Sequence, residues 1–84
     1  MKIENMKKVN FGTVKAFFDV NFDKIIIKGW KLIQQENQRA FVTPPDEKYT
    51  DKEGKTKYKK LVDIPDEALK QKIQDAALSA YDEQ

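Results

Sequence analysis

The stretch Lys24 to Pro45, KIIIKGWKLIQQENQRAFVTPP, decides the fold. Ile25, Ile26, Ile27, Trp30, Leu32 and Ile33 make its first half the most apolar and most β-prone part of the chain. Gly29 in mid-strand predicts a bulge or a close backbone approach. The triple isoleucine lacks clean alternation, which predicts cover on both faces at that end. Gln35-Glu36-Asn37-Gln38 reads as a hairpin turn, and Arg39 to Thr43 as the returning strand. Pro44 and Pro45 end that strand, because neither can donate to a ladder.

On the N-terminal side, Val14, Ala16, Phe18, Val20 and Phe22 fall on one face of an alternating segment. Lys15, Phe17, Asp19 and Asn21 fall on the other, where Phe17 is the apolar exception and a candidate subunit contact. Asn21 to Lys24 supplies a tight turn. Gly12 separates this strand from Met1 to Asn10, in which Ile3, Met6 and Val9 sit three apart. That spacing suits a short helix or a frayed strand equally, and we read a weak edge strand or an ordered arm.

On the C-terminal side, Asp46 to Lys57, DEKYTDKEGKTK, reads as a long mixed-charge loop. Tyr58 to Val62 is a short strand with Tyr58, Lys60 and Val62 on one face, and its lysines suit an edge. Asp63 or Asp66 can cap a helix running from about Ile64 to Tyr81, with Pro65 in its first turn. Leu69, Ile73, Ala76, Ala77 and Ala80 form its apolar stripe. Leu78 falls on the far side and Tyr81 between, which would leave both for a second copy. The expected fold is α+β: one domain over residues 1–84, with a small antiparallel sheet of about four strands and a C-terminal helix packed on it.

A chain of 84 residues buries only about 60–65% of its unfolded surface and is marginal as a monomer. It has no Cys and no His, so neither disulfides nor the usual zinc ligands can stabilise it. Self-association remains, and we expect an oligomer. The first residues lack a continuous apolar core and no apolar run reaches ~20 residues, so a cytoplasmic location is expected. Net charge is +2, and the only Arg among the 16 basic residues is Arg39. Lys is a point charge, whereas Arg forks onto base edges. Nucleic-acid binding by such a chain would therefore rest on phosphate attraction.

The order of these elements carries specific words. IIIKGWKLI at 25–33 precedes the polar turn, FVTPP at 41–45 follows it, and the helix holds KIQDA at 72–76 and ends at Tyr81. From about Val14 to Tyr81 the chain resembles the stage V sporulation protein G (SpoVG) family, the bacterial septation regulators. The resemblance implies a homodimer that binds DNA or RNA in a regulatory role. The family's basic word after the proline falls on Asp46-Glu47-Lys48, where only Lys48 keeps the charge. Its later aromatic-basic pair falls on Tyr58-Lys59, its basic position early in the helix on Lys70, and Lys72 matches outright. The loop between is longer and more acidic than usual, and Trp30 stands where a smaller aliphatic residue is usual.

The residues themselves offer one candidate surface. Lys48, Lys52, Lys55, Lys57, Lys59 and Lys60 interleave with Tyr49 and Tyr58, a pattern suited to tracking phosphates and stacking bases. The plain alternative is a solvated loop diluted by Asp46, Glu47, Asp51 and Glu53. Lys70 and Lys72 lie about 160° apart around a helix, so at most one can face a ligand squarely. Trp30 reads first as core or interface and second as a stacking platform, and Arg39 as a solvated turn residue. Without His, Cys or a glycine-rich phosphate motif, we expect no enzyme and no cofactor. The leading expectation is a nucleic-acid-binding regulator; the alternative is a protein-interaction module of the same fold that has lost that binding.

Overall fold

The computed structural model describes residues 1–83. In chain order these form β1 (Lys2–Phe11), β2 (Val14–Asn21), β3 (Ile26–Ile33), β4 (Phe41–Thr43), β5 (Asp46–Thr50), β6 (Thr56–Lys60) and α1 (Glu67–Asp82). The first four strands make an antiparallel sheet in the order β1-β2-β3-β4. The helix covers one face of it, so the α+β expectation holds. The next two strands pair only with each other, as a separate two-stranded sheet. Residues 46–57 are thus not a loop: they are β5, a tip, and the start of β6. The helix begins at Glu67 rather than near Ile64. Pro65 lies outside it, just before the N-cap Asp66, whose carboxylate accepts from the Ala68 and Leu69 N–H groups at 2.9 and 3.2 Å.

The N-terminal residues form a full ten-residue edge strand. Its threefold spacing is reconciled with a strand by a bulge between Glu4 and Lys7, where Asn5 takes φ 54°. The extra residue returns Met6 to the same face as Ile3, and both pack on the core. Gly29 makes a second bulge. It lies between the Phe18–Trp30 and Val20–Ile27 pairs at φ 86°, and a Cβ there would stand 3.7 Å from that of Pro45. Of the two readings of this glycine the bulge applies; the 3.7 Å distance is ordinary van der Waals contact with a side chain and not a close backbone approach.

The core consists of Ala16, Phe18, Val20, Trp30, Leu32, Ile73 and Ala77. From Ala16 to Val20 the alternating face of β2 and the alanine-rich stripe of α1 meet as their periodicities require; Val14, expected on that face, is carried to the other by the register shift between the Val14–Ile33 and Ala16–Leu32 pairs. Three further expectations are corrected. Leu78 does not stand on a solvent face: it is half-buried and packs, like Tyr81, against the core. The stripe is centred nearer Ile73 and Ala77 than Leu69, which brings both flanking residues onto the sheet. Trp30 is core, 3% exposed and stacked on Phe18 with ring centroids 6.1 Å apart. It has no free ring face to offer a second copy. The isoleucine run is not covered on both sides either: Ile27 packs inward, while Ile25 and Ile26 are exposed.

One face of the sheet has no second layer among the described residues. The pairings Phe11–Val14, Val14–Ile33 and Ile33–Phe41 place these four side chains opposite the helix. Phe17 joins them through ring contact with Phe11, centroids 6.3 Å apart. No described helix is long and apolar enough to cross a membrane.

Candidate nucleic-acid interface

The β5–β6 hairpin projects from the body. Nearly all its residues are exposed, and it packs chiefly on itself. The radius of gyration, 13.6 Å, exceeds the roughly 12 Å expected for a compact chain of this length. Its register pairs Asp46 with Lys60, Glu47 with Lys59, Lys48 with Tyr58 and Tyr49 with Lys57. Because strand side chains alternate, Asp46, Lys48, Tyr58 and Lys60 share one face. Glu47, Tyr49, Lys57 and Lys59 share the other. The lysines that lie in one run of the sequence are thus divided between two sides of a ribbon.

Charge pairing divides them further. At the tip, the Asp51 carboxylate accepts from the Glu53 and Lys55 N–H groups, both at 2.9 Å, and pairs with Lys57 Nζ at 3.3 Å. The Lys55 N–H, foremost, together with Lys57 and the Glu53 N–H, holds Asp51 below the usual aspartate range against a smaller opposing effect of burial. Lys55 Nζ lies 3.7 Å from Glu53. Asp51 therefore builds the turn rather than merely diluting the basic charge. Lys48, Lys59 and Lys60 make no ion pair among the described residues, and Tyr58 is 62% exposed.

At its root the hairpin meets the helix across a groove of about 430 Å³. Trp30, Val42, Pro44, Val62 and Ile64 give the groove apolar walls, and Gln71 and Gln74 supply amides. Asp46 and Lys60 reach it from the Tyr58 face of the ribbon, and Lys70 reaches it from the helix. Asp46 is paired with Lys31 at 3.3 Å, and Lys70 with Glu67 at 3.5 Å. The structure thus brings Lys60 and Lys70 to one site. Lys72 is exposed on the helix and takes no part in lining this groove. No pattern in the sequence announced the groove, since its walls come from four runs of the chain, at 30, 42–46, 60–64 and 67–74. Among the described residues no group of His, Cys, Asp or Glu is placed to hold a metal ion.

No family model, curated protein or solved structure matches the chain.

Proposed function

We propose that this protein is a nucleic-acid-binding regulator of the kind the SpoVG resemblance implies, and that the β5–β6 ribbon is its binding arm. The observation that carries the reading is the ribbon itself: a projecting element with unpaired Lys48, Lys59 and Lys60 and an exposed Tyr58. An isolated two-stranded ribbon is marginal in water. This one has little core beneath it, so its exposed residues answer to binding rather than to folding. Lysines on both faces can follow a phosphate backbone, and Tyr58 can stack on a base. Lys55 and Lys57 contribute less, because their charges are already met at the tip.

The active form we propose is a homodimer. Its interface is the uncovered sheet face around Phe17, with Phe11, Val14, Ile33 and Phe41, and not Trp30, Leu78 or Tyr81. Binding of a labelled DNA or RNA should fall steeply as salt rises. The double variant Lys59→Glu/Lys60→Glu should weaken binding at least about tenfold at low salt, since each reversal replaces attraction by repulsion. Salt-independent binding, or an unaffected double variant, would sink this mechanism. The acids beside Lys55 and Lys57 favour the second reading, a protein-interaction module, which nuclease-resistant capture of a protein partner would support.

A further inference from the structure

We infer that the groove at the ribbon's root is a subsite for one unstacked base of a single-stranded nucleic acid; the inference rests on the nucleic-acid reading above. Trp30 forms part of the groove wall, yet its Nε1–H is shut off from water and has no hydrogen-bond acceptor. It is the unpartnered buried side-chain polar group among the described residues. Such a donor normally finds a partner, because leaving it unmade costs free energy. A base carbonyl entering the groove would supply the acceptor. Because Nε1 is shut off from water, a base reaches it only if the groove lining shifts; that lining includes the irregular connector carrying Val62, Asp63 and Ile64, which lies outside the strand ladders and the helix.

The chemistry of the lining selects a neutral polar ring over a phosphate. Asp46 is met by Lys31 and Glu67 by Lys70, which leaves one acid, Asp63, and one base, Lys60. The charges therefore balance. Apolar walls would hold the faces of a ring, and Gln71 and Gln74 can give and accept hydrogen bonds at its edge. The volume lies within the range of small-molecule sites, about 300–1,000 Å³, and admits a base with its sugar. Continuity with the arm supplies the rest. Tyr58 and Lys60 are on the same face, about 7 Å apart along β6. One base stacked on Tyr58 and its neighbour in the groove would carry their phosphate past Lys60.

Trp30 is the only tryptophan, so its fluorescence reports on this site alone. The test compares three probes at fixed low salt: a short thymidylate single strand, the same strand in a duplex, and an abasic strand of equal phosphate number. The thymidylate strand should change Trp30 fluorescence and bind about tenfold tighter than the abasic strand. Trp30→Phe keeps a ring in the core and removes the donor. By anisotropy it should lose about fivefold in affinity for thymidylate and nothing for the abasic strand, measured well below a melting temperature that the lost indole volume lowers. Gln71→Leu, on an exposed helix position, should weaken thymidylate binding in the same selective way. Equal, salt-dependent binding of all three probes with silent fluorescence would overturn the base subsite and leave the lysine arm standing. Failure of every probe to bind would overturn both.

Discussion

At the scale of single residues, Gly29 shows how one position serves two elements. Its φ of 86° is a conformation that L residues avoid, and it creates the bulge that carries β3 from the Phe18–Trp30 pair to the Val20–Ile27 pair. The space around it is not the constraint, because an alanine Cβ here would meet the Pro45 Cβ at ordinary contact distance. Gly29→Ala should therefore destabilise the fold by about 1–2 kcal/mol through backbone strain alone. A lower urea midpoint with an unchanged denaturant slope would show it. This bulge is legible in the sequence, since a glycine in mid-strand has few other uses. The bulge at Asn5 is not, because asparagine occupies turns, caps and left-handed positions alike.

At the scale of elements, the ribbon is the informative case. Asp46 to Lys57 looks like a loop because it has no apolar alternation, and apolar alternation is the usual sign of a strand. A ribbon with both faces in water needs none. What holds it is the backbone ladder from Asp46–Lys60 to Thr50–Thr56 together with the Asp51 turn. Because the folded state holds Asp51 below its ordinary value, its contribution is complete above the unfolded aspartate pKa, about 3.9. That contribution is lost as pH falls through the lower folded value. The protection factors of the Glu53 and Lys55 tip amides, exchange rates divided into the intrinsic rate at the same pH, should fall below about pH 4. In Asp51→Asn they should be low at neutral pH too and show little further change on acidification. Amide hydrogen exchange read by NMR separates the two.

At the scale of the whole molecule, a single helix covers only one side of the sheet. The other side displays Phe11, 66% exposed, with Val14, Phe17, Ile33 and Phe41 half-buried beside it. This face is the interface of the proposed homodimer: pairing two sheets face to face would give each the second layer it lacks. Light scattering at micromolar concentration should return twice the 9.8 kDa chain mass. Phe17→Lys should return the single mass while keeping the far-ultraviolet signature of the fold. A monomeric parent protein would remove this interface.

The residue periodicities by themselves determined the central strands, the turns at Asn21–Lys24 and Gln35–Gln38, the bulge at Gly29 and the buried stripe of the helix. Each is a local pattern whose physical cause lies within a few residues of it. Only the tertiary structure decided the rest. Trp30 became core by stacking on Phe18, and Leu78 was drawn inward because the helix rotates to seat Ile73 and Ala77 on the sheet. The lysines of residues 48–60 were sorted into paired and unpaired, and onto two faces, by the register of a hairpin. The groove exists because residues from 30, 42–46, 60–64 and 67–74 converge on it. Convergence, rotation and register depend on which surfaces meet, and that information is spread across the whole chain.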